Sequence, residues 1–308
     1  MGKIAFVFPG QGAQYTGMGK ELYETEAEAK KVFDSADAVR ANTSVQCFEA
    51  EKAELSKTSN TQPCMFTVEL AAAAAIESRG IKADMTAGFS LGEIAALTYS
   101  GMVSFEEGFK LVCSRGELMQ KAAEEKDTSM AVVLKLNDEE TEKLCCEFEE
   151  VYPVNYNCPG QLSVAGSKEE MKAFMARVKE AGGKALPLKV AGGFHSPFMN
   201  DVAEGFGEIL REVDFRRARV DIYSNYTGSV YSDDPVQLLT KQMNNPVRWS
   251  QIVKDMIAGG ADIFVELGPG NTLASMIKRI DDNVLAVSVE NSESLEEAVR
   301  LINERNSR

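Results

Sequence analysis

Seven residues constrain this chain more than any other stretch: Ala87-Gly88-Phe89-Ser90-Leu91-Gly92-Glu93. They follow a short run, Met85-Thr86-Ala87, and lead into the apolar helical pattern Ile94-Ala95-Ala96-Leu97. The spacing Gly88-x-Ser90-x-Gly92 predicts a nucleophile elbow, a sharp strand-to-helix turn that lifts a serine hydroxyl out at its apex. Glycine suits both flanking positions because a Cβ there would collide with the neighbouring strand or helix. The helix behind Ser90 begins with unpaired backbone N–H groups and a positive dipole end, so an oxyanion beside Ser90 would meet the Leu91 N–H. The same string also fits a plain turn with a capping serine, and the rest of the chain decides between the two.

An elbow belongs to a parallel sheet, and the order of elements predicts one. Residues 3–8 read as a β-branched and aromatic strand, and strands follow near 85–87, 221–224, 263–267 and 284–289. Helices are predicted over 21–39, 62–79, 104–119, 236–243, 250–258, 272–280 and 295–304, with another opened by Gly192 to Met199 and running to residue 210. Alternating strands and helices give an α/β fold with a mostly parallel sheet covered on both faces. Between them the pattern changes. Strand 130–136, helix 138–149, strands 152–156 and 161–165, helix 167–181 with a Ser167/Glu170 capping box, and strand 184–190 follow the ferredoxin-like order. This predicts a small domain of residues 127–190 inserted into a large one made of residues 1–126 and 191–308.

Composition removes several functions. Acidic residues outnumber basic ones, 47 against 33, for a net charge of −14. Such a surface repels nucleic acid and anionic membranes, and no apolar stretch is long enough to span a bilayer. The run Ile4 to Phe8 is too short for a signal peptide. Six cysteines without a Cys-x-x-Cys pair, and a single histidine, predict reduced thiols in a cytoplasmic protein and no metal site. The loop Gly10-Gln11-Gly12 through Gly19 is not a nucleotide cradle, since Tyr15 and Met18 stand where glycine and lysine would be needed. It follows the first strand, so its N–H groups, that of Gln11 foremost, lie at the carboxyl edge of the sheet.

A serine needs a base within hydrogen-bond reach, and the only imidazole is His195, in the glycine-flanked turn Gly192-Gly193-Phe194-His195-Ser196. Asp201 lies a helical turn or more too far along to orient it, so a main-chain or amide carbonyl is the expected acceptor for the second ring N–H. On a helical period Val112, Arg115 and Met119 share one face, which places a guanidinium on or beside an apolar stripe.

Six stretches together resemble the malonyl-CoA:acyl-carrier-protein transacylases of fatty-acid synthesis and the acyltransferase domains of polyketide synthases. They are Phe8-Pro9-Gly10-Gln11-Gly12-Ala13-Gln14, Gly88 to Glu93, Arg115-Gly116, Gly193-Phe194-His195-Ser196, Asn245-Pro246-Val247-Arg248-Trp249 and Glu266-Leu267-Gly268-Pro269-Gly270. The resemblance implies a hydrolase-like large domain with a ferredoxin-like insert. It implies that Ser90 is the acylated nucleophile, His195 its base, and Gln11 and Leu91 the backbone oxyanion donors. Arg115 becomes the clamp for the free malonate carboxylate, a bidentate task a lysine could not copy. Met119 shares that helix face and lines the acyl pocket. Gln242 matches the position whose main-chain carbonyl orients the histidine. Asn157 and Gln161 match polar substrate residues of the small domain, where turn chemistry and a strand surface are the other reading. Phe194 matches a position tied to acyl selectivity, and its ring would crowd a branched acyl group; it also reads as a core phenylalanine. The family's usual histidine before the nucleophile is Phe89 here, which alters local hydrogen bonding without removing the base.

The implied reaction moves a malonyl group from malonyl-CoA through a serine ester to the phosphopantetheine thiol of acyl carrier protein. The enzyme is then a monomer with no cofactor. Carrier proteins of this pathway are acidic, so Lys184, Lys278 and Arg279 are candidates for a docking patch, or else ordinary solvated charge. A serine hydrolase or thioesterase acting on an acidic acyl group, a trans-acting polyketide acyltransferase and a non-catalytic acyl-CoA sensor share much of the same sequence logic.

Overall fold

The computed structural model describes residues 2–307. Its larger sheet has five strands in the order β7-β2-β1-β8-β9. These are β1 (Lys3–Phe8), β2 (Met85–Gly88), β7 (Asp221–Tyr223), β8 (Ala261–Leu267) and β9 (Leu285–Val289), all paired in parallel. Strand periodicity sorts its residues between two cores. Phe6 and Phe8 of β1 pack into one core with the helices Thr58–Ser78, Gly92–Tyr99 and Phe105–Glu125. Ala5 and Val7 point the other way, onto the helices Trp249–Ala258 and Thr272–Ile280. Each fully buried phenylalanine contributes roughly 1.5–3 kcal/mol, so this double covering is what fixes the sheet.

The second sheet has four antiparallel strands in the order β4-β5-β3-β6: β3 (Thr128–Leu134), β4 (Val151–Cys158), β5 (Gln161–Ser167) and β6 (Lys184–Pro187). The helices Asp138–Cys145 and Lys168–Glu180 join it to a third core around Phe174 and Val133. Strand β4 is tied to the larger body through Val247, which donates to the Val154 carbonyl and accepts from the Tyr156 N–H, each at 2.9 Å. This tether holds the polar face of β4 over the carboxyl edge of the parallel sheet.

Several element boundaries depart from the sequence pattern for local reasons. The stretch 21–39 breaks at Glu26, whose φ and ψ of −112° and 109° are extended, into helices Lys20–Thr25 and Ala27–Val39. The short helices Thr43–Glu49 and Lys52–Leu55 carry too few apolar positions to be legible. The helix expected from residue 62 starts earlier, at Thr58, with Pro63 inside it. The helix after residue 138 stops at Cys145, β6 ends at Pro187, and a 3-10 turn, Pro197–Met199, precedes the helix Asn200–Leu210. Only half of the Ser167 capping box forms. Ser167 accepts from the Glu170 N–H, but the Glu170 carboxylate turns to the Glu149 and Glu150 N–H groups. No described helix is long and apolar enough to cross a membrane.

Candidate active site

β2 runs into the helix Gly92–Tyr99 with Ser90 at the turn, in a left-handed conformation of φ 56°. That strain is held by packing on both sides. A Cβ on Gly88 would lie 1.8 Å from the Gly92 carbonyl carbon, and one on Gly92 would lie 2.1 Å from the Phe8 oxygen of β1. Asn225, just beyond β7, clamps the same turn. Its Oδ1 accepts the Ser90 N–H at 2.6 Å, and its Nδ2 donates to the Gly88 carbonyl at 2.6 Å.

His195 also sits at a positive φ, 60°, in a turn closed by Ser196 Oγ donating to the Gly193 carbonyl. Its Nε2 lies 2.7 Å from Ser90 Oγ and its Nδ1 2.8 Å from the Gln242 main-chain oxygen. A carbonyl can only accept, so Nδ1 carries the proton and the Nε2 lone pair faces the serine. Burial, then the nearby Arg115 charge, lower the imidazole pKa to about 4, so the ring is neutral near neutral pH and its Nε2 lone pair is free to accept a proton. Asp201 is well exposed and pairs with Lys126 instead.

Arg115 is 1% exposed. Its Nη2 donates to Ser90 Oγ at 3.1 Å and to Gln242 Oε1 at 2.9 Å, and its Nη1 to Gln62 Oε1 at 3.1 Å. The Nε–H is buried with no acceptor among the described residues. Burial lowers the guanidinium pKa to about 10, partly offset by Glu93, so it stays charged. Glu93 is itself pushed up to about 7 by burial, against hydrogen bonds from Tyr231, Gln242 and Asn225 and the charge of Arg115.

These groups line a pocket of about 90 Å³ with Gln11, Gln62, Leu91, Met119, Met130, Asn155, Leu188, Val190 and Phe194. It meets a wider cleft of about 270 Å³ between the two sheets, lined by Gln11, Asn155, Asn157, Gln161, Ser163 and the apolar Phe89, Leu273 and Met276. Neither the Gln11 nor the Leu91 backbone N–H is given to a protein acceptor among the described residues. Asn155 Oδ1 and Asn157 Oδ1 are likewise buried and unpaired there. Phe89 packs edge-on against Trp249 at 5.7 Å, and the buried Trp249 Nε1 has no acceptor among the described residues.

The structure gathers Ser90, His195, Gln11, Leu91, Arg115, Met119 and Phe194 into one pocket, with Gln242 behind it and Asn157 and Gln161 at its mouth. Arg279 is exposed and hydrogen-bonds only neutral acceptors. Its Nη1 donates to Gln161 Oε1 at 2.7 Å and its Nη2 to the Pro159 carbonyl at 2.9 Å. Lys184 and Lys278 are exposed. Lys184 pairs through Leu134 with Gln161, so two strand spacings put it about 10 Å from that glutamine. Gln62, Asn155, Asn225 and Tyr231 carry no mark in the sequence; Gln62, Asn225 and Tyr231 are placed by partners found only in space, and Asn155 by its position on the pocket wall.

Comparison with known proteins agrees with this geometry. The family model described as "Acyl transferase domain" matches residues 5–301. A malonyl CoA-acyl carrier protein transacylase of Bacillus subtilis (strain 168) is 37% identical over 314 aligned residues, covering 99% of each chain. The crystal structure of a malonyl CoA-acyl carrier protein transacylase from Clostridium perfringens superposes with a TM-score of 0.96 at 35% identity, over 99% of this chain and 98% of that one. A malonyl-transacylase solved in complex with a type II PKS acyl-carrier protein gives a TM-score of 0.92 at 32% identity, over 97% and 99%.

Proposed function

This chain belongs to the acyl transferase domain family, and from that premise we infer how it moves a malonyl group from malonyl-CoA to the thiol of acyl carrier protein. The observation that carries the mechanism is the 2.7 Å approach of His195 Nε2 to Ser90 Oγ in a pocket that also holds Arg115. Ser90 Oγ attacks the thioester carbonyl while His195 Nε2 takes its proton. The oxyanion forms against the free Gln11 and Leu91 N–H groups. As the intermediate collapses, the carbon–sulfur bond breaks and the departing thiolate takes the proton from His195. The carrier thiol then gives its proton to His195, attacks the serine ester, and Ser90 leaves and is reprotonated.

Malonate sets its carboxylate carbon two bonds from the thioester carbon, so a clamp for it must stand close to the nucleophile. Arg115 does, at 3.1 Å, with a spare Nε–H. That position favours an acid-bearing acyl group over a neutral one, and Phe194 and Met119 leave little room for a branch. The wider cleft with Asn155, Asn157 and Gln161 suits the amide-rich pantetheine arm shared by coenzyme A and carrier protein. The acidic carrier would approach the exposed Lys278, Arg279 and Lys184. We also read residues 127–190 as a ferredoxin-like insert in a hydrolase-like large domain; the strand order β4-β5-β3-β6 and the elbow support that reading. Initial rates at varied malonyl-CoA and carrier protein test the two-step route. Parallel double-reciprocal lines are expected, and intersecting lines would refute a free acyl-enzyme.

The pH profile follows from the imidazole. The base works when neutral, so with a pKa of about 4 protonation of His195 should lower the kcat/KM for malonyl-CoA only below about pH 5. Bound malonate offsets the Arg115 charge, one of the two causes that lower His195, so the acid limb of kcat should lie above that of kcat/KM. Glu93 is pushed up to about 7, so an acid limb near 6.5 that persists in Glu93→Gln is the result that would contradict this environment.

A further inference from the structure

Gln242 meets four residues of the site at once. Its main-chain oxygen takes His195 Nδ1, its side-chain Oε1 takes Arg115 Nη2, and its Nε2 donates to the Ser90 carbonyl at 2.7 Å and to Glu93 Oε2 at 2.9 Å. The amide can face only one way. Arg115 is all donor, whereas the carboxylate and the carbonyl only accept. Glu93 is held in turn by the Tyr231 hydroxyl at 2.6 Å on Oε1 and by the Asn225 N–H at 3.2 Å on Oε2. Glu93, Asn225, Gln242 and Arg115 are all at most 1% exposed, so no water competes for these bonds. Neither Glu93 nor Gln242 lines the acyl pocket.

We propose that Glu93, acting through the Gln242 side chain, is a positioning residue that aims the Arg115 guanidinium at the acyl carboxylate and so sets the preference for acid-bearing acyl groups. Three bonds tie Arg115 to Gln62, Gln242 and Ser90 Oγ. Of these acceptors only the Gln242 amide is itself anchored on a carboxylate. That carboxylate is also the acidic group that offsets the effect of burial on Arg115. The role differs from orienting the histidine, which uses the Gln242 main chain and survives a change of its side chain. The inference rests on the reading of Arg115 as the malonate clamp.

The test is a double-mutant cycle on two acyl donors. Glu93→Gln and Gln242→Met are made alone and together with Arg115→Met, and kcat/KM is measured with malonyl-CoA and acetyl-CoA. Gln242→Met leaves Glu93 with Tyr231 and Asn225, so it serves where Glu93→Gln fails to fold. Losing one hydrogen bond to a charged group should lower the malonyl value by roughly 10- to 100-fold and the acetyl value by a smaller factor. On the Arg115→Met background neither change should lower malonyl transfer further. Equal losses on both donors, or undiminished losses without Arg115, would make Glu93 a structural residue of the elbow only and overturn the proposal. A wild-type protein that moves no malonyl at all would instead overturn the reading of the site on which the proposal stands.

Discussion

Ser90→Ala should lower carrier-dependent malonyl transfer by about 10⁵-fold, to the level left by binding and the oxyanion donors alone. The hydroxyl is the atom the account makes acyl-bearing, and no other group in the pocket can replace it. Its neighbours there are amides, thioethers and hydrocarbon, with Arg115 and His195 as the charged and basic members. The substitution is also structurally mild. Alanine removes one oxygen, the Ser90 N–H keeps its bond to Asn225, and the Gly88 and Gly92 packing is untouched. Thermal unfolding should therefore shift little while activity disappears. His195→Ala should cost about as much, and the double variant should be no worse than Ser90→Ala alone, because nucleophile and base act as a unit.

Arg115→Met should cost malonyl transfer about 10³-fold in kcat/KM while sparing acetyl transfer most of that loss. A carboxylate on a guanidinium gains two charge-assisted hydrogen bonds in a pocket where water does not compete. Methionine fills the volume and supplies neither. Arg115→Lys should recover only part of the loss, since an ammonium cannot span Gln62 and Gln242 and still offer a paired fork. Steady-state kinetics with the two acyl donors reads the ratio directly. An unchanged malonyl-to-acetyl ratio in Arg115→Met would remove the clamp from the account. Removing the guanidinium also leaves Glu93 buried without its counter-charge, so some loss of stability accompanies the loss of selectivity.

The chemistry of this site was legible because it is local. The spacing of Gly88, Ser90 and Gly92 encodes a steric requirement, and the 1.8 and 2.1 Å approaches at the two glycines are the physical form of it. His195 was the only imidazole on offer, and Arg115 betrayed itself by sitting on an apolar stripe. What lay hidden was the set of residues that act at a distance in the chain. Asn225 lies 135 residues from Ser90, and Gln62 lies 53 from Arg115. An asparagine or glutamine in a turn or helix carries no periodic mark, and only the packed sheet brings its amide to the partner. Glu93 stood in plain view within the elbow string, but as a letter beside the serine; its burial and its bond to Gln242 come from tertiary structure. Arg279 is a further case: it remains an exposed charge, but its hydrogen bonds to Gln161 and to the Pro159 carbonyl become visible only when the β4–β5 turn is packed beside its helix.

The central claim is that one oxygen, Ser90 Oγ, carries the acyl group between two thiols. Brief incubation of the protein with isotopically labelled malonyl-CoA, acid quench, proteolysis and mass spectrometry test it most directly. The account predicts a malonyl ester on the peptide that bears Ser90, discharged when carrier-protein thiol is added and absent from Ser90→Ala. Active protein that carries no label on that peptide, or label that persists in Ser90→Ala, would contradict it.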